Sequence, residues 1–289
     1  MTGFIQDLGS NPFLMTGLLA GLLASIACGI VGPYVITRRI VFLAGAIAHI
    51  AIGGVGAAIF LAYRFPESLG WLEPIHGAAV ISVVAAIILA VLHQQVRERL
   101  DTIVGALWAT GMAIGLLLIK FTPGYQTELM SYLFGNIAFV SWDYLRLMMA
   151  LDLIIVATVV VWHKRFLAIC LDAEQAELQG ISILSTHIVL LVLVALTVIV
   201  LTQVVGLILV IALLSLPAAT AAQRATRLTT LIWGSIALSA VLTTVPRIVV
   251  YGTRVSPEAA IVLAAGAAYL VAVSIGKWRR KHGAQDTTA

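Results

Sequence analysis

Residues 38–60 read RRIVFLAGAIAHIAIGGVGAAIF, two arginines followed by an apolar run that a single histidine interrupts. The next charged residue is Arg64. About twenty apolar residues are what an α-helix needs to cross the hydrocarbon core of a bilayer, where each backbone polar group must be satisfied inside its own segment. The stretch therefore predicts a membrane-spanning helix over Val41–Ala62, with its arginine pair held in water at one end.

Working outward, the same pattern recurs. Apolar runs cover Phe13–Ile36, Gly77–Leu92, Thr102–Ile119, Tyr144–Trp162, Ile181–Thr202, Val204–Ala222, Leu228–Val245 and Pro257–Gly276. The composition agrees: 61% of the 289 residues are hydrophobic and 10% charged, where a soluble chain would carry about a quarter charged residues. Mean hydropathy is +1.08. The expected fold is all-α and polytopic, with nine transmembrane helices, or eight if one run is re-entrant. Residues 1–282 read as one transmembrane domain and 283–289 as a short polar tail. Asp7 precedes the first run and no basic stretch does, so that run reads as a permanent span, not a cleaved leader.

Basic residues follow every second span. Arg38, Arg39, Arg97, Arg99, Lys164, Arg165, Arg224, Arg227, Lys277, Arg279, Arg280 and Lys281 fall on one side, twelve of the 17 Lys and Arg. Cytoplasmic loops carry such an excess, so the N-terminus is expected outside and the C-terminus in the cytoplasm. The net charge of +4 is accounted for by topology and gives no argument for nucleic acid.

Two ionisable residues fall near mid-membrane. A carboxylate there costs roughly 2.5–3.5 kcal/mol on insertion scales, so Asp152 is expected to face the bundle interior or a wet cavity. His49 shares one helical face with Gly45, Gly53 and Gly56, at spacings of four, four and three residues. That face is either a groove for a neighbouring helix or the wall of a pathway, and neutral imidazole is a good ligand for borderline transition metals. The pairs Gly17/Gly21 and Gly111/Gly115 have the GxxxG spacing that lets helices approach closely in lipid. Pro33 and Pro217 should kink their spans. His187 reads as a structural residue, and His76, His93, His163 and His282 as loop or interface residues. Cys28 and Cys170 are too few for a closed zinc site and are expected to be buried thiols.

Residues 164–180, KRFLAICLDAEQAELQG, form the longest charged segment between spans. Asp172, Glu174 and Glu177 alternate with apolar residues, and Gly180 can close the helix. The pattern is a short amphipathic helix able to dock on a cytoplasmic partner. No GxxxxGK[ST], HExxH or GxSxG occurs, so the chain shows no Walker loop and no hydrolase motif.

Four stretches resemble the permease subunits of ATP-binding-cassette importers for zinc, manganese or iron. Residues 38–60 are similar to the family pattern RRxVFxGDALSHAxLPGVA. LDAEQAELQGI (171–181) resembles its coupling segment FDEEFARxxGV. QVVGLILVIALLSLPAATAA (203–222) resembles QVVGxLLVxALLxxPAATA, and YLFGNIAFVSWDYL (132–145) resembles YLFGxILxVSxxDL. Together, and in this order, they cover nearly the whole chain.

The resemblance implies a type II importer-like permease that is not itself an enzyme and holds no permanent cofactor. It would act as a homodimer, with cytoplasmic ATPase subunits gripping the segment around Asp172, Glu174, Glu177 and Gly180. An extracytoplasmic solute-binding protein would deliver the divalent ion. The family histidine falls on His49, but its aspartate is Gly45 here, its serine Ala48 and its proline Gly53. The missing carboxylate is expected to be supplied by Asp152 from another helix, and a carboxylate-poor path favours zinc over manganese. A permease for a metal chelate or cobalamin would need a wider path without ligands. An intramembrane enzyme or proton-coupled carrier built on Asp152 and His49 is the reading from a different class.

Overall fold

The computed structural model describes residues 2–8, 11–95, 100–123, 135 and 140–283, with side chains throughout except at 2, 3, 5, 203, 204 and 278–283. Among the described residues all regular structure is helical: α1 (Thr2–Leu8), α2 (Pro12–Thr37), α3 (Val41–Arg64), α4 (Pro66–Leu69), α5 (Pro74–Gln95), α6 (Leu100–Lys120), α7 (Trp142–Leu171), α8 (Ala173–Leu178), α9 (Ile183–Ala222), α10 (Leu228–Val249) and α11 (Pro257–Gly283). They supply 9 segments long and apolar enough to cross a membrane, in the order the apolar runs predict. Arg97, Arg99, half of the YLFGNIAFVSWDYL motif and the tail after Gly283 lie outside the described residues.

The sixth and seventh spans are one element, α9, broken only at Gly206 (φ 76°, ψ 159°). A straight helix of 40 residues would be about 60 Å long. Instead, the start of α9 lines a cavity with Arg38, and the turn just after its end lines another with the adjacent Thr37. Both ends of α9 therefore lie at the same end of the bundle, and the element is a helical hairpin whose reversal is centred on one glycine. Only glycine adopts that backbone conformation without strain. Gly135 packs directly against the backbone of Val205 and Gly206 at this tip.

In lipid there is no water exclusion between helices, so association depends on close fit and polar contacts. α3 is the centre of this packing: 83% of its core window is buried, against 11% for α11. It meets α5 where Gly54 and Gly77 touch, and α6 where Gly53 faces Gly111 and Gly56 faces Gly115. A Cβ at Gly54 or Gly56 would overlap the opposing backbone. The GxxxG pair Gly111/Gly115 thus does what its spacing predicts. α2 packs against α9 and α10, with the Ser25 and Thr243 hydroxyls 3.0 Å apart across the seam with α10.

α7 runs nine residues beyond the predicted end at Trp162. Nothing between Trp162 and Leu171 breaks a helix, and the first capping residue is Asp172, whose Oδ1 accepts from the N–H groups of Glu174 (3.0 Å) and Gln175 (3.1 Å). The segment 164–180 is therefore the last turns of α7 and the separate short helix α8.

The ends of α2, α5, α7 and α9 gather with α8 and the starts of α6 and α10 around two cavities of about 580 and 490 Å³. This is the end that carries Arg38, Lys164 and Arg227. At the opposite end α1 closes over the turn after α10. The Phe4 ring meets Tyr251 edge-on at 5.1 Å, and the Tyr251 hydroxyl donates to Asp7 Oδ2 at 2.7 Å.

Candidate ion pathway and coupling face

Although α3 is largely buried, one stripe stays open along it. Phe42, His49, Gly53, Ala57 and Phe60 are exposed or half-buried, and every residue between them is buried. Their spacing puts them on one helical face. His49 Nδ1 lies 2.8 Å from the carbonyl oxygen of Gly45. A carbonyl only accepts, so Nδ1 carries the proton, and in the neutral ring Nε2 keeps its lone pair for a ligand.

The Trp108 indole lies over the imidazole, ring centroids 4.1 Å apart and planes 33° apart. Phe42 meets the same indole at 5.7 Å. A Cβ built on Gly45 would touch Trp108 Cζ3 at 3.8 Å. Of the three glycines expected beside His49, Gly45 thus borders the indole, while Gly53 and Gly56 seat α6.

Asp152 is 8% exposed, in an apolar cage of Ala27, Met148, Leu151, Ile155, Leu196, Val200 and Leu201, with Thr197 alongside. Its Oδ2 has no hydrogen-bond partner among the described residues. The cage is formed by α2, α7 and the first half of α9, whereas His49 looks toward α6. α9 packs against both α3 and α7, and those two share no seam. Within one chain the structure does not bring Asp152 to His49. No group of three or more His, Cys, Asp or Glu able to hold a metal occurs among the described residues.

At the basic end, α8 is tightly defined. Its C-terminus closes with Gly180 N–H on Glu177 O (2.9 Å) and Ile181 N–H on Ala176 O (3.0 Å), the pair of bonds of a Schellman motif. The motif requires a left-handed residue, and Gly180 has φ 80°. Leu171 and Leu178 flank the helix at 78% and 89% exposure. Glu174 and Glu177 border the larger cavity together with Arg38, His93 and His187. Arg38 Nη1 donates to the Ile169 carbonyl at 2.6 Å, tying the α2–α3 turn to the end of α7. The acidic face lies on α8, and the apolar tips Leu171 and Leu178 stand at its two ends, next to the end of α7 that Arg38 holds.

Residues 10–276 match a single transport family. The chain belongs to the ABC 3 transport family. It is a multi-pass membrane protein with the family's permease fold. It is 28% identical to PsaBC of Streptococcus pneumoniae, solved in complex with a Fab, with a TM-score of 0.82 over 94% of each chain. It is 28% identical to the manganese transport system membrane protein MntC of Listeria innocua, over 93% of this chain and 92% of that one. A metal transport system membrane protein of Chlamydia trachomatis, named as probable, is 42% identical over 63% of this chain. That match spans 61% of the chlamydial protein's length.

Two features of this ABC 3 chain were missed by sequence reasoning. The Trp108 stack was readable only in register, because Trp108 lies three residues before Gly111 on the contact face of α6. The second is a pair of stacked imidazoles, His93 and His187, 4.7 Å apart with planes at 23°, read separately as an interface and a structural residue. One lies near the end of α5 and the other near the start of α9, far apart in sequence, and no local pattern joins them.

Proposed function

We propose that this chain is the membrane permease of an ATP-driven importer that brings a divalent transition-metal ion into the cell. The observation that carries the reading is His49: in a chain of the ABC 3 family, the most buried span keeps one open stripe, with an imidazole on it whose Nδ1 is engaged by Gly45 O and whose Nε2 makes no hydrogen bond among the described residues. Residues 1–282 act as one permease domain. Two copies line the path, an extracytoplasmic solute-binding protein supplies the ion, and the N-terminus lies outside with the C-terminus in the cytoplasm. ATP hydrolysis belongs to separate cytoplasmic subunits that grip α8 through exposed Leu171 and Leu178 and the charges of Glu174 and Glu177. Asp172 and Gly180 hold α8 in shape for that contact.

The path is proposed to take zinc ahead of manganese. Around His49 there is an imidazole nitrogen but no carboxylate at position 45, and zinc accepts nitrogen ligands more readily than manganese does. The manganese named for the Listeria relative weighs on the other side. The test is uptake and metal-stimulated ATP turnover by the reconstituted complex with zinc, manganese and iron compared. His49→Ala should lower uptake by about tenfold or more, the scale of losing an ion-binding group. ATP turnover indifferent to all three metals would overturn the reading.

A further inference from the structure

We infer that Trp108 is a positioning residue for His49 and, with Gly45, decides which ions the pathway accepts. The inference rests on the role of His49 proposed above. Three contacts fix the imidazole. Its Nδ1 donates to Gly45 O (2.8 Å), the indole lies over the ring (centroids 4.1 Å apart, planes at 33°), and the side chain is rooted in α3. Nε2 is the nitrogen left to meet an ion. The indole is fixed in turn. Gly53 against Gly111 and Gly56 against Gly115 hold α6 at backbone contact about one and two turns further along it, and Phe42 meets the indole from the other direction at 5.7 Å.

The same indole defines the wall beside the ligand. Position 45 carries no side chain, and the space that a Cβ there would enter is bounded by Trp108 Cζ3 at 3.8 Å. A longer side chain would have to turn aside from the indole. At this level an ion meets one imidazole nitrogen and an aromatic surface, with no anionic oxygen from α3. Hard ions that prefer oxygen gain little from such a surround, whereas borderline ions that bind imidazole gain more. Trp108 and Gly45 are thus in register: a Cβ at 45 would make ordinary van der Waals contact with the indole, and a longer side chain would share with it the space beside His49.

The experiment measures zinc and manganese uptake separately in proteoliposomes carrying the complex, for the wild type and for Trp108→Ala, Trp108→Phe, His49→Ala, Gly45→Asp and the double variant Gly45→Asp/Trp108→Ala. Freeing a group that orients a metal ligand typically costs 10–100-fold in affinity, so Trp108→Ala should raise the zinc KM by about 10-fold or more with a much smaller change in maximal rate. Trp108→Phe, which keeps a ring face over His49, should recover most of the loss. The double variant should shift the zinc-to-manganese ratio toward manganese, and Gly45→Asp alone should not. A purely structural role would lower the maximal rate for both metals in proportion to the folded protein recovered, with Ala and Phe alike, and would overturn the inference. Uptake that survives His49→Ala would remove the pathway reading and this inference together. Loss with His49→Ala beside an unchanged KM in Trp108→Ala would remove this inference alone.

Discussion

At the scale of single residues, Asp152 and His49 show how little a polar residue's type says about its neighbours. A carboxylate and an imidazole in adjacent membrane layers invite pairing, yet each ends in a different seam. Asp152 sits among α2, α7 and α9, and its Oδ2 has no hydrogen-bond partner among the described residues. A buried acceptor without a partner costs about 1–3 kcal/mol. The fold gains nothing visible from it, and we propose that Asp152 serves transport. Asp152→Asn keeps the shape and removes the charge. It should leave thermal stability in detergent equal or higher while lowering metal uptake several-fold. Undiminished uptake would leave Asp152 a tolerated flaw in the core. That Asp152 is buried was legible, because a lipid-facing carboxylate is too costly. Which helices bury it was not, because that depends on contacts distant in sequence.

At the scale of elements, the apolar runs and basic clusters marked nearly every helix, since length and hydropathy alone decide what can cross a bilayer. The joints were harder to read. Between Thr202 and Leu207 the chain reverses with no polar loop, and the reversal depends on Gly206, one of 24 glycines and without a composition shift around it. Gly206→Ala puts a side chain on φ 76° and should destabilise the hairpin by roughly 1–3 kcal/mol, measured as a lower melting temperature of the purified permease. The α8 cap differs in kind. Gly180 was readable as a terminator, and nothing lies within 4 Å of its Cβ direction. Gly180→Ala should therefore cost only the left-handed strain, about 1–2 kcal/mol, confined to α8. The expected result is reduced coupling of ATP turnover to metal with an unchanged melting temperature; a global loss of stability would show that α8 is part of the folding core.

For the whole molecule, function depends on which end faces the cytoplasm. Charge alternation along the chain assigns sides to loops one at a time, and the structure gathers those loops. Arg38, the end of α7, α8, both ends of α9 and Arg227 converge around two cavities, while α1, α4 and the Tyr251 turn lie at the other end. With the orientation proposed above, a cytoplasmic motor would act on the gathered basic end, where α8 carries Glu174 and Glu177 beside exposed Leu171 and Leu178. Orientation and coupling are therefore one claim, and one experiment reaches both. With Cys170 replaced by serine and Cys28 buried, a single cysteine at Glu174 should resist a membrane-impermeant maleimide in intact cells and react in inverted vesicles. A cysteine at exposed Glu67 on α4 should show the reverse. Addition of the ATPase subunits to inverted vesicles should then protect position 174 and leave position 67 unaffected. Labelling of position 174 in intact cells would invert the topology and remove α8 from reach of any cytoplasmic motor. Correct sidedness without protection would keep the topology and move the coupling contact elsewhere on the basic end.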